Sequence, residues 1–238
     1  MKWGVATDTG RVRRTNEDFV AACPEVGFFA VADGMGGHQA GEVASRLALE
    51  SLEGFLRPFL GGGTDLEAVL LQGMQEVNRL VYEASLKNPV YRGMGTTLSC
   101  VVIREKMLFL AHVGDSRIYL WRGGELIRLT EDHSLVQEMI KAGRLTGTQA
   151  KEHPLRHVLT RALGTAPLVE VDTARFSLEV RDVILLCTDG LSGLVEDPEL
   201  SGIISRCPDP EQAVRAMVEL ALYRGGNDNI SAVVVAVD

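Results

Sequence analysis

The sequence predicts an α+β fold built on antiparallel sheets, and three observations carry that reading. Apolar runs of strand length follow one another across two-residue breaks, Glu105-Lys106, Gly114-Asp115 and Gly123-Gly124. That is hairpin spacing, too short for a parallel crossover. Two long amphipathic helical patterns stand together between an early and a later group of strands. A last apolar run, 230–237, ties the end of the chain into a sheet. Strands and helices segregated in this way belong to the α+β class.

Taken in order, short strands are expected at 2–7, 19–23 and 27–32. A helix is expected over 39–56, because Ala40, Val43, Ala44, Leu47, Leu52 and Phe55 recur near the 3.6-residue period. Gly61-Gly62-Gly63 breaks the chain, and Thr64 or Asp65 can cap a second helix. That helix runs to about residue 87, with Leu66, Val69, Leu70, Met74, Val77, Leu80 and Val81 on one side. Asn88-Pro89 ends it, since a residue before proline avoids helical angles.

A β-rich block follows at 96–104, 107–113, 116–122 and 125–129, then a helix over 134–143. Residues 144–168 are rich in Gly, Thr, His and Pro and give the weakest pattern. Strands at 169–176 and 182–187, a helix at 210–223 and the last strand complete the series. No internal repeat, low-complexity tract or linker interrupts it, so 1–238 is expected to form one domain.

With 46% apolar and 24% charged residues, the chain has the composition of an ordinary globular protein. Its net charge of −8 argues against a nucleic-acid binder, which would present a basic face. Cys23, Cys100, Cys187 and Cys207 form no C-x-x-C pair, and two of them lie inside apolar runs. Buried thiols in a reducing compartment are the expectation, not zinc or disulfides. Met1-Lys2-Trp3-Gly4-Val5 leads straight into a strand pattern. No apolar stretch approaches the ~20 residues of a spanning helix. The expected location is the cytoplasm.

Three carboxylates stand out. Asp33 ends the apolar run Phe28-Phe29-Ala30-Val31-Ala32 and is followed by Gly34-Met35-Gly36-Gly37-His38. Asp189 repeats that grammar in Leu185-Leu186-Cys187-Thr188-Asp189-Gly190. Asp228 sits in Gly225-Gly226-Asn227-Asp228-Asn229, just before the last strand. Carboxylates at the tips of buried strands suit a hard divalent cation, which prefers oxygen ligands. The segment Arg11-Val12-Arg13-Arg14-Thr15-Asn16-Glu17-Asp18 adds arginines and carboxylates. Taken alone it is a solvated turn with local ion pairs. Near a metal-binding cluster, a guanidinium suits bidentate recognition of phosphate.

The ordered set Arg13-x-x-Asn16-Glu17-Asp18, Asp33-Gly34-Met35-Gly36-Gly37-His38, Gly93-x-Gly95-Thr96-Thr97, Gly114-Asp115-Ser116-Arg117, Asp132-His133-Ser134, Leu163-Gly164, Thr188-Asp189-Gly190 and Asp228-Asn229 spans nearly the whole chain. It resembles the metal-dependent protein phosphatases of the PP2C (protein phosphatase 2C) type, the PPM family, in their short bacterial form. The resemblance implies a four-layer αββα sandwich, with two central antiparallel sheets flanked by helices.

By the same resemblance, Asp33 would bridge two Mg²⁺ or Mn²⁺ ions, and the carbonyl of Gly34 would ligate one of them. Asp189 and Asp228 would complete the other ion's protein shell. Glu17 and Asp18 would reach the metals directly or through water. Asp115, with Asp189, matches the place of a weaker third ion. Arg13 matches the family's phosphate-binding arginine. Two ions sharing a hydroxide would supply the nucleophile for direct attack on phosphoserine or phosphothreonine.

The leaving alkoxide needs a proton. His38 is the candidate acid, with orienting a water or capping the helix near Gln39 as the alternatives. His133, His153 and His157 lack metal-ligand spacing with one another and read as structural or loop residues. Residues 143–163 correspond to the flap that borders the site in bacterial members; a long surface loop explains their composition equally well. The implied partners are phosphorylated proteins, among them a bacterial Ser/Thr kinase, and the implied working unit is a monomer.

Other readings fail on the residues. Asp8-Thr9-Gly10 matches half of an aspartic-protease pair, and no second such loop occurs. The glycines after Asp33 lack the Gly-Lys-Ser/Thr of a nucleotide loop. A catalytically silent regulatory module would have shed metal aspartates, whereas Asp33, Asp115, Asp189 and Asp228 are all present.

Overall fold

The computed structural model describes residues 1–36, 40–60 and 63–238. Three strands come first: β1 (Lys2–Asp8), β2 (Asp18–Cys23) and β3 (Phe28–Met35). Helices α1 (Ala40–Leu56) and α2 (Leu66–Lys87) follow. Next are β4 (Gly95–Thr96), β5 (Leu98–Arg104), β6 (Met107–Val113), β7 (Arg117–Arg122) and β8 (Glu125–Arg128). Two short helices, α3 (Leu135–Lys141) and α4 (Gly147–Lys151), precede β9 (Asp172–Ser177) and β10 (Val183–Cys187). The chain ends with α5 (Asp189–Ser192), α6 (Asp197–Arg206), α7 (Pro210–Tyr223) and β11 (Ile230–Ala236).

These strands make two sheets, ordered β1-β11-β10-β7-β8 and β2-β3-β5-β6-β9, with β4 paired to β3. Every pairing is antiparallel. Side chains alternate along β3. Phe28, Ala30 and Ala32 face α1 and α2, meeting Ala44, Leu52, Leu70 and Met74. Phe29 and Val31 point the other way, against Ile184, Leu186 and Val233 of the second sheet. That second sheet turns Leu185, Ala232 and Val234 outward onto Leu200, Ile203, Met217 and Val214 of α6 and α7. The layers are therefore helices, sheet, sheet, helices. Each central strand is buried on both faces, so it reads as an unbroken apolar run and not as an alternation.

The helix boundaries follow capping chemistry. Asp65 accepts from the Glu67 amide at 3.2 Å and starts α2, and Asn88 ends it. The strand expected at 96–104 is split at Thr97, whose amide turns aside to the Asp33 carbonyl at 2.9 Å. The strand expected from 169 begins only at Asp172. Helices α4, α5 and α6 were not expected. For α6 the signal was present: Glu196 and Glu199 form a capping box around Pro198. Helix α7 has the expected bounds.

Leu186 lies between the sheets opposite Val233 and is fully buried. Leu186→Ala is expected to lower unfolding free energy by about 2–5 kcal/mol in guanidinium titrations. A loss under about 1 kcal/mol would contradict the two-sheet core.

Candidate active site

The two sheets bring their carboxylates together at one end. Asp33 near the end of β3 stands directly opposite Asp18 at the start of β2. Residues paired in this way project to the same face, and like charges there repel. Asp189 follows β10 through Thr188, and Asp228 precedes β11 by two residues. Asp115 sits in the turn between β6 and β7. Burial pushes the Asp33 carboxyl well above its usual range, and Asp18, Asp189, Asp115 and Asp228 push it further.

The same causes act on its neighbours. Burial first, then Asp189 and Asp228, raise Asp18 to about 7 against opposing hydrogen bonds from Ser231 and Thr188. Asp115 rises to about 8, through burial and then Asp189 and Asp132, with Arg117 opposing. Burial also raises Glu17, with Arg13 opposing.

Small polar groups hold these carboxylates in place. The Asp33 amide donates to Thr97 Oγ1 at 2.9 Å, and Thr97 Oγ1 meets Ser116 Oγ at 2.8 Å. One hydroxyl pair therefore connects the backbones that carry Asp33 and Asp115. Thr188 Oγ1 donates to Asp18 Oδ2 at 2.9 Å across the two sheets. Buried Asn229 donates to the carbonyls of Thr9 and Thr15, both at 2.9 Å, and accepts from the Glu17 amide at 2.8 Å. It thereby pins the loop that bears Arg13 and Glu17 to the base of β11. Sequence reasoning gave Asn229, Thr188 and Thr97 no individual role, although all three lie inside the motifs.

Gly34 is fixed by space. Its amide donates to the Glu17 carbonyl at 3.1 Å, and a Cβ there would come within 2.1 Å of the Gly41 carbonyl oxygen. Gly190 is as tight, since a Cβ would stand 1.9 Å from the Asn229 carbonyl oxygen. Arg13 was expected at phosphate. It donates from Nη2 to Asp228 Oδ2 at 2.7 Å, a bond that raises its own pKa. His157, read as a structural or loop residue, has Nδ1 3.8 Å from Asp189 Oδ2 and so borders the cluster. His153 Nδ1 accepts from the Leu155 amide and shapes a turn. His38 lies outside the described residues.

The residues fit a hydrated divalent cation. Among the described residues, three buried side-chain atoms lack a hydrogen-bond partner, and two of them are Asp18 Oδ1 and Asp189 Oδ1. Both belong to the cluster. Carboxylates raised by burial and by one another are a charge deficit that a dication would offset. Among the described residues, no three carboxylate, imidazole or thiol groups close into a finished cage. Mg²⁺ does not need one, because it keeps several waters and takes one or two carboxylates.

Known proteins share this chain's sequence and fold. A family model described as Protein phosphatase 2C matches residues 7–230. A Listeria welshimeri protein named serine/threonine phosphatase stp is 36% identical over 234 residues, 96% of this chain and 93% of that one. The solved Mycobacterium tuberculosis serine/threonine phosphatase PstP superimposes with a TM-score of 0.92 at 37% identity, covering 100% of this chain and 98% of that one. A PstP catalytic domain in complex with two manganese ions gives a TM-score of 0.89 at 36% identity, covering 100% and 98%.

A pH dependence follows from the raised carboxyls. Unfolded aspartates titrate near 3.9, so between about pH 4 and pH 8 the metal-free folded chain holds protons that the unfolded chain has lost. These groups therefore withdraw stability as pH rises through that window, and a cation that keeps them ionised restores it. The gain in Tm on replacing EDTA with Mn²⁺ is expected to be larger at about pH 8 than at about pH 5. Equal gains at both would sink the assignment of these carboxylates to metal.

Proposed function

The chain belongs to the protein phosphatase 2C family, and we propose that it hydrolyses phosphoserine and phosphothreonine in proteins with the help of Mg²⁺ or Mn²⁺. The observation that carries this reading is the five-aspartate cluster, with its two unpartnered buried oxygens, beside an exposed arginine. Asp33, Asp18, Asp189 and Asp228, with the Gly34 carbonyl and Glu17, would hold two ions. Asp115 and Asp189 would hold a weaker third. Bound ions of this kind lower the pKa of water towards neutrality and offset charge on the transferring phosphoryl group.

The chain's own residues supply the rest. Arg13 exchanges Asp228 for the phosphate, where its planar fork matches two equatorial oxygens. Asn229 keeps the Arg13 loop on the base of β11, so the guanidinium approaches from a fixed side. Water adds to phosphorus, the ester bond to the serine or threonine oxygen breaks, and that oxygen leaves with a proton. His38 is our candidate donor of that proton. No covalent intermediate on the chain is required.

We read residues 1–238 as one phosphatase domain, with 143–163 as a flap beside the cluster. Phosphoproteins are the proposed partners, a Ser/Thr kinase among them, and a monomer is the proposed working unit. No helix among the described residues is long and apolar enough to cross a membrane. All four cysteines are free thiols, Cys100 and Cys187 buried, which suits a reducing cytoplasm.

Release of phosphate from a phosphothreonine peptide should appear with Mn²⁺ or Mg²⁺ and vanish with EDTA. A folded sample silent under every metal would overturn the enzymatic reading. Asp189→Asn should abolish turnover while leaving the unfolding transition in place; wild-type kcat would remove Asp189 from the metal site. Arg13→Ala should raise KM for phosphopeptides more than it weakens metal binding, and an unchanged KM would mean that Arg13 does not hold phosphate.

A further inference from the structure

Behind the carboxylate cluster lies a buried pair of stacked imidazoles. His112 and His133 face each other with ring centroids 4.7 Å apart and planes tilted by 33°. Both are buried, and neither is used by the chemistry described above.

His133 holds both polar groups of one residue. Its amide donates to the Gly114 carbonyl at 2.7 Å, and the Gly114 amide donates back to His133 Nδ1 at 3.1 Å. Nδ1 is thus an acceptor, so the ring proton is on Nε2, which donates to Asp172 Oδ2 at 3.1 Å. Gly114 immediately precedes Asp115. Its φ is +115°, and a Cβ on it would meet Thr97 at 2.5 Å. The turn is therefore confined, and Thr97 is the residue that receives the Asp33 amide.

On its other side His133 grips the exit of the flap. Its carbonyl accepts from the Thr160 amide at 2.9 Å, beside the bridge of Ser134 with Leu159. The Asp172 carboxylate that receives Nε2–H also receives Arg161 Nη1 at 2.9 Å. His112 fixes the stack from behind. Its Nε2 donates to the Glu131 carbonyl at 3.0 Å, and its Nδ1 accepts from Ser99 Oγ at 2.8 Å. Three residues before Thr160, His157 reaches Asp189. The flap segment therefore touches both members of the Asp115–Asp189 pair, one by way of His133.

We propose that His133 is a positioning residue that locks the Gly114–Asp115 turn to the flap exit, so that Asp115 is aimed at its ion only while the flap is in register. This rests on the reading of Asp115 as an ion-binding carboxylate. The two ends of the imidazole act separately, because Nδ1 sets the turn and Nε2 sets the flap through Asp172.

Two substitutions separate those ends. His133→Asn keeps an acceptor near Nδ1 and loses the reach to Asp172. His133→Gln keeps the reach and loses the acceptor. Both nearly fill the imidazole's space, and Asp115→Asn serves as the benchmark. The full chain is titrated with Mn²⁺ alone, followed by the paramagnetic resonance of the free ion. Hydrogen exchange is then read over residues 156–163. His133→Gln is expected to weaken the binding step lost in Asp115→Asn by about tenfold, the usual penalty for removing an outer partner of a ligand. His133→Asn is expected to keep that step and to speed exchange in the flap exit.

A merely structural histidine would lower Tm in both variants without separating the two readouts, and that result would overturn the proposal. If Asp115→Asn weakens a binding step and His133→Gln does not, the proposal falls and the reading of Asp115 stands. If Asp115→Asn binds Mn²⁺ like the parent, that reading falls and the proposal falls with it.

Discussion

Mutual repulsion among buried carboxylates is the constraint on which the site depends. Asp18 and Asp33 face the same way across one strand pair, and Asp115, Asp189 and Asp228 act on them from three other segments. A sheet would not keep like charges directly opposite for stability. Ordinary buried carboxylates are paired with a base, yet here burial raises the acids and two oxygens stay without donors. Arg13 bonds Asp228, His157 borders Asp189 and Arg117 opposes the rise at Asp115, yet none of them donates to those two oxygens. Stability given up at this point is what the proposed dication would restore.

Repelling groups stay together only if their backbones are held by something else. Neutral donors and acceptors do this, since they add no charge of their own. Thr97 and Ser116 join the strand bearing Asp33 to the turn bearing Asp115, and Thr188 spans the two sheets to Asp18. Asn229 uses its whole amide on the loop of Arg13 and Glu17. Beneath them the apolar layer of Phe29, Val31, Leu186 and Val233 fixes how far apart the sheets stand. The spacing of the aspartates is thus inherited from the core, and the hydroxyls set only their final orientation.

Much of this was legible in the sequence, and the reason is physical. A carboxylate after an apolar run and before glycine is a local signal. The two tightest cases, Gly34 and Gly190, show why glycine must follow, because a side chain at either would enter a backbone carbonyl. Helices with a full apolar stripe, such as α7, were also readable, since periodicity is local. What was not legible depends on distant partners. Nothing near Asn229 in the chain indicates that it bonds Thr9 and Thr15. Nothing near His157 indicates Asp189, and the layer order of the sandwich came from resemblance and not from the strand count. Helix α6 is a different kind of omission, because its capping box of Glu196 and Glu199 is a local signal.

The contact between Arg13 and Asp228 is weak enough to suit the proposed roles of both residues. The guanidinium is 54% exposed and its partner 32%, so the pair sits at the edge of solvent. Pairs of that kind are held by about 0.2–1 kcal/mol, little more than thermal energy. An incoming phosphate offers two oxygens in the plane of the fork and a larger charge. The dication proposed at Asp228 would compete with Arg13 for that carboxylate. In the proposed roles, metal and substrate would both draw Arg13 off Asp228. Asn229 holds the loop by its backbone on either side of Arg13, so such a change would need only the side chain to turn.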